Sequence, residues 1–193
     1  MDDGAWGISI KEGKRAVQRP EAVGTRGMVA SAHPVAAFIG LSIMQRGGNA
    51  FDAAIAVAAA EGVVLPMKCG LGGDAFAVIR DAKTREIVAY NGSGVAAAGA
   101  TADYYRSRGH SEMPLDGVHA ASVPGGVGVY EAIWKRYCTM PWAELWEPAI
   151  HLASEGVAIT DYISRRYADR ADRLAKFEYS AKDRKSTRLN SSH

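Results

Sequence analysis

Gly47-Gly-Asn-Ala-Phe-Asp-Ala-Ala54 leads into an alanine-rich apolar run. Gly70-Leu-Gly-Gly-Asp74, two short strand-like runs and Asn91-Gly-Ser-Gly94 follow. This stretch decides the fold. Glycine is needed where a chain turns tightly or lets another group approach its backbone, and here glycines separate a helix from one strand and close off a second. The pattern predicts a helix–strand–strand scaffold with a glycine-lined site.

On the N-terminal side, Gly27 to Ser31 is an apolar run read as a short strand. Val35, Phe38, Ile39, Leu41, Ile43 and Met44 then define an apolar helix, with Pro34 in its first turn and Gly47-Gly48 as its stop. Asn49 is placed to cap the next helix, from about Ala50 to Val64, with Asp52 near its positive end and Pro66 beyond it. Small side chains on several faces of that helix predict burial between layers. On the C-terminal side, Ala75 to Arg80 and Glu86 to Tyr90 have strand composition and flank a turn at Asp81-Ala82-Lys83-Thr84, which predicts an antiparallel hairpin. A sheet covered by helices is expected. Thr101 is placed to cap a short helix to Arg108. Ser122-Val-Pro-Gly-Gly126 introduces an apolar helix through Trp134 and Tyr137, Pro141 opens another to about Ser154, and Asp161 to Lys176 has a more polar helical pattern.

The 193 residues are 48% hydrophobic and 23% charged, enough for a sizeable core, and the net charge is +2. Asp183 to His193 carries all of that charge, so the body is neutral and lacks the electrostatic footprint of a nucleic-acid or anionic-membrane partner. Cys69 and Cys138 make no disulfide framework, and no paired Cys/His spacing predicts a metal site. The run from Ala53 to Leu65 is too short to span a bilayer and contains Glu61. The N-terminus has neither the basic start nor the apolar run of a signal peptide, so the expected location is the cytoplasm. The tail Asp183 to His193 is polar and aperiodic, and it reads as an in-frame translation of a sequencing adapter. It is expected to be non-native.

Few residues announce chemistry. Gly70 to Asp74 has no following Gly-Lys-Ser/Thr and leads into a strand, so a tight turn beside a pocket is a better reading than a phosphate loop. Cys69 next to an apolar helix end reads as a small buried hydrophobe, and His33 before a helix-opening proline reads as structural. His110, His119 and His151 lack metal spacing. Ser122 is outside a Gly-x-Ser-x-Gly elbow. Asp74 reads as a turn former, able to position a loop or a substrate.

Gly27-Met-Val-Ala-Ser-Ala-His-Pro34, Gly47 to Ala54, Gly70 to Asp74, Ser122-Val-Pro-Gly125 and the segment from Tyr137 to Gly156, taken in order, resemble the large subunit of the γ-glutamyltransferase family. The resemblance implies a mixed α/β (α+β) fold of the N-terminal nucleophile hydrolase type. That fold is an αββα sandwich, of which this chain would hold only the N-terminal, large-subunit portion. The domain reading is an N-terminal extension over 1–26, a partial γ-glutamyltransferase-like domain over 27–182, and the tail over 183–193.

The resemblance also implies a precursor that cuts itself, freeing a threonine in a Thr-Thr-His-like motif whose α-amine serves as base for its own hydroxyl. No such motif occurs here; Thr139, Thr160 and Thr187 lack that context, so no residue of this chain is assigned as catalytic and the chain alone is expected to be inactive. γ-Glutamyl enzymes carry an arginine after the second strand to pair with the substrate α-carboxylate. Ser93 falls at that position. Asn91-Gly-Ser-Gly94 is similar to the oxamate amidohydrolase-like branch, but Val95-Ala-Ala97 lacks that branch's arginine as well. Asn91 and Ser93 are accordingly the candidate substrate-binding residues, on position alone. Hydrolysis of a small oxamate-like amide by the intact protein is the first expectation, glutathione hydrolysis or γ-glutamyl transfer the second, and a noncatalytic binding protein the third. The expected partners are a small-molecule amide and a C-terminal small subunit, with no cofactor, metal, nucleic acid or membrane.

Overall fold

The computed structural model describes residues 22–181, so the tail, Thr187 and most of the N-terminal extension lie outside the described residues. Helix α1 (Pro34–Gln45) starts where His33, in extended backbone, accepts a hydrogen bond at Nδ1 from the Val35 amide (3.2 Å) and Pro34 occupies the first turn. A proline there forfeits no intrahelical bond. The helix ends at Gly47, whose φ of +97° suits a residue without Cβ. Helix α2 (Ala50–Val64) opens on a reciprocal cap. Asn49 Oδ1 accepts from the Phe51 and Asp52 amides (2.8 and 3.0 Å), while Asp52 Oδ2 accepts from the Asn49 amide (2.8 Å). A cap of this kind contributes about 1 kcal/mol.

α2 is the centre of the molecule. It packs on α1, on α4 (Gly126–Tyr137) and on α5 (Trp142–Glu155), and Ile55, Ala56, Ala60 and Val64 are buried with Ala36 and Ile43 of α1 and Leu145 of α5. The alanines therefore serve several neighbours at once. At Gly40 a Cβ would stand 2.6 Å from Val57 Cγ2, so glycine is what lets α1 approach α2 there.

The two strands β1 (Phe76–Arg80) and β2 (Ile87–Asn91) pair antiparallel in the register Phe76 with Asn91, Val78 with Ala89 and Arg80 with Ile87. Ala77, Ile79 and Tyr90 face the helices. The opposite face is open: Phe76, Val78 and Ile87 are 68%, 79% and 68% exposed. The expected sheet covered by helices is thus, among the described residues, a hairpin covered on one side. Beyond it come α3 (Ala102–Ser107), capped by Thr101 Oγ1 on the Tyr104 amide, a 3-10 turn at Val118–Ala120, and α6 (Asp161–Ala168) and α7 (Ala171–Ala175).

Two expectations need correction. Gly27 to Ser31 is not a strand; it lies along α1 and α2, with Val29 against Gly40 and with Ser31 Oγ and the Ala32 amide donating to Glu61 Oε1 of α2 (2.6 and 3.0 Å). An apolar run predicts burial, and here a helical surface with one carboxylate, rather than a strand edge, receives it. The polar segment from Asp161 to Lys176 is two helices, because the chain turns at Asp169-Arg170 between them.

Candidate functional site

Three loops meet at the end of the hairpin: Gly70 to Asp74 entering β1, Asn91 to Gly94 leaving β2, and Ser122 to Gly125 entering α4. Their backbones are bonded to one another, the Gly92 amide to Ala75 O (2.9 Å) and the Gly126 amide to Gly73 O (3.0 Å). The fit leaves no room for side chains. A Cβ on Gly94 would stand 1.5 Å from Val123 O, one on Gly125 2.3 Å from Gly92 O, and one on Gly92 2.3 Å from Val129 Cγ2. These glycines are needed for the close approach of one backbone to another.

Asp74 fastens the three loops from the side. Its Oδ1 accepts from Ser122 Oγ (3.1 Å) and lies 3.4 Å from the Gly94 amide that donates to it. The sequence reading of Asp74 as a loop-positioning residue is met, but its partner Ser122 is 48 residues away, and no periodicity connects them. Ser122 is a donor to this carboxylate.

The candidate substrate-binding residues sit at this junction. Asn91 ends β2, and its Oδ1 accepts from the Ser93 amide (2.9 Å), a local turn that shapes the loop. Ser93 is exposed. No basic side chain occurs from Asn91 to Ala97. On the other side of Gly94 and Ser122 opens a cavity of about 980 Å³, whose wall includes Ala97, Tyr104, Tyr105 and His119.

The remaining candidates are structural. His33 is buried at the cap of α1, and burial lowers its pKa against the opposing pull of Glu61. Cys69 points its Sγ at Glu61 Oε2 (4.0 Å); burial and that carboxylate push its thiol up, so it is a poor thiolate. Thr139 Oγ1 donates to Asp52 Oδ2 (2.8 Å) and Thr160 caps α6. Among the described residues no group of three or more His, Cys, Asp or Glu is placed to hold a metal ion.

Sequence reasoning missed the aromatic wall of the cavity. Tyr104, Tyr105 and His119 line it from two segments, His110 packs on Tyr105 and His119 from outside the lining, and the contacting rings meet edge to face with centroids 5.4 to 6.2 Å apart. The only signal in the sequence is the adjacent Tyr104-Tyr105 pair.

The chain is similar to known proteins over most of its length. The γ-glutamyltranspeptidase family model matches residues 36–188. A glutathione hydrolase-like YwrD proenzyme of Bacillus subtilis (strain 168) is 39% identical over 160 residues, covering 82% of this chain and 30% of the relative. The crystal structure of Helicobacter pylori γ-glutamyltranspeptidase superimposes with a TM-score of 0.79 at 36% identity, covering 84% of this chain and 47% of that one. That of a cephalosporin acylase from Bacillus halodurans does so with a TM-score of 0.72 at 34% identity, covering 83% and 31%. The chain therefore spans about 30% of the length of the curated relative and less than half of the solved chains. A hairpin layered on helices, with glycine loops joined at its end, is here part of an N-terminal nucleophile hydrolase fold. The chain belongs to the γ-glutamyltranspeptidase family.

Proposed function

We propose that this chain is the large-subunit portion of a self-processing enzyme that cleaves γ-glutamyl amide bonds, glutathione among them. The supporting observation is the joining of Gly70–Asp74, Asn91–Gly94 and Ser122–Gly125 into one rigid corner in a chain of this family. In this reading a small subunit supplies a threonine whose freed α-amine takes the proton of its hydroxyl as the oxygen attacks the amide carbonyl. The C–N bond breaks, the amine passes the proton to the leaving nitrogen, and water then cleaves the ester. The described chain holds the loops against which the substrate is placed, with Asn91 and Ser93 at their edge, and on its own it is inactive.

A second reading, hydrolysis of a small oxamate-like amide, is favoured by one observation. No cation stands between Asn91 and Ala97 to pair with an α-carboxylate. The relatives named glutathione hydrolase support the first reading instead. Expression of the intact gene decides between them. Turnover of a γ-glutamyl anilide and of glutathione, competed by γ-glutamyl compounds, is the expected result. Turnover of oxamate-like amides alone transfers the assignment to the second reading, and a processed protein that turns over neither leaves a binding role.

A further inference from the structure

We propose that the cavity between α3, the Val118–Ala120 turn and the Ser122–Pro124 loop is a binding site for a neutral aromatic group carried by a small amide. Its volume of about 980 Å³ is at the upper end of what small-molecule sites occupy. Among the described residues its wall holds no Asp, Glu, Lys or Arg; it is built from alanines, glycines, Met113, Val118, Ser122, Val123, Pro124 and the Tyr104, Tyr105 and His119 rings. A charged group bound against it would gain no counter-charge from these residues. Of the neighbouring cations, Arg106 is paired with Asp103 (3.3 Å), and Arg108 lies over the Tyr104 ring at 3.7 Å from its centroid and hydrogen-bonds the Tyr104 carbonyl (3.5 Å).

The wall has a preference as well as a polarity. Tyr104, Tyr105 and His119 make mutual edge-to-face contacts, His110 backs His119 at 5.7 Å between centroids, and Tyr105 Oη donates to His119 O (3.2 Å). Rings held in this way present faces and edges in fixed directions, to which a further flat ring adds by offset or edge-on stacking. Met113 and Val118 stand 59% and 83% exposed at the rim, apolar surface that a bound ring would cover. The cavity reaches the site through Gly94 and Ser122, which belong both to its wall and to the corner fastened by Asp74. A substrate with its ring in the cavity thus has its amide beside that corner. The amide part of this inference rests on the amide-cleaving reading above; the aromatic site stands on the cavity alone.

Saturation-transfer NMR on the 193-residue chain tests it with 2-phenylacetamide, acetamide and phenylacetate as probes. Phenylacetamide is expected to take up saturation through its ring protons, acetamide not to, and phenylacetate to bind several-fold more weakly. Tyr105→Phe keeps the ring and is expected to keep binding, whereas Tyr105→Ser weakens it about tenfold. Val118→Trp, at an exposed position that burdens no core, narrows the cavity and is expected to lower the signal even if Tyr105→Ser disturbs folding. Absence of saturation transfer to phenylacetamide, equal binding of phenylacetate, or a signal unchanged by Val118→Trp overturns the proposal. None of these readings depends on turnover, so failure of the γ-glutamyl assignment and failure of this site are separately visible.

Discussion

Asp52 is fully buried and charged, and the residues around it explain why. Burial pushes its carboxyl pKa up, but hydrogen bonds from the Asn49 amide, Thr139 Oγ1, and the Met140 and Thr139 amides together hold it below the ordinary value. One side chain therefore ties the start of α2 to the α4–α5 connection. A carboxylate whose folded pKa is depressed contributes stability that is present above its unfolded pKa of about 3.9 and is lost as pH falls through the folded value. Asp52→Asn places an amide donor among these N–H groups and is expected to cost about 2–4 kcal/mol at pH 7. Chemical denaturation from pH 7 down to pH 3 should show the variant less stable throughout, with a flatter dependence below about pH 4. A variant matching the wild type at pH 7 would remove Asp52 from this role.

The cysteines give a second prediction at the same scale. Burial, then the Asp52 carboxylate, push the Cys138 thiol up to about 12. At pH 8 its thiolate fraction is roughly a thousandfold below that of an ordinary cysteine near 8.5. Iodoacetamide followed by mass spectrometry should label Cys138 in the native chain far more slowly than in denatured chain. Cys69, whose pKa is also raised, should be protected in the same direction.

Among the elements, the glycine corner was only half legible. The sequence marks Gly70–Asp74 and Asn91–Gly94 as turns, yet all of their glycines look alike there. The structure separates them: nothing lies within 4 Å of a Cβ added at Gly72, whereas at Gly94 it would meet Val123 O at 1.5 Å. Gly94→Ala must push two loop backbones apart and is expected to lower stability by about 3 kcal/mol, while Gly72→Ala should change it by less than about 0.5 kcal/mol. Thermal unfolding of the pair checks this, and equal effects would contradict the close-approach account. Asp74→Ala, which loses the bonds from Ser122 and Gly94, should leave the hairpin intact but speed hydrogen exchange at the Gly94 amide. The helices were easier to foresee. Asn49 and Pro34 act through neighbours two or three residues away, and a local cause leaves a local pattern.

For the molecule as a whole, the outer face of the hairpin is an open apolar surface. Phe76, Val78 and Ile87 form an exposed apolar face on two strands with no further strand beside them among the described residues. Such a face promotes association. Sedimentation velocity of the chain should show concentration-dependent self-association, reduced in Phe76→Thr/Ile87→Thr, and a monodisperse wild-type monomer would show that the face is harmless.

What the sequence determined by itself was the order and kind of the elements from α1 to α5, the caps that start them and, through its ordered motifs, the family. These follow from interactions within a few residues and from composition. The tertiary structure alone decided that Gly27–Ser31 lies on helices instead of pairing in a sheet, which glycines are crowded, that Asp74 reaches Ser122, and that the Tyr104, Tyr105 and His119 rings gather around a cavity. Each depends on contacts between segments distant along the chain, and the packing of α2 against α1, α4 and α5 brings such segments together.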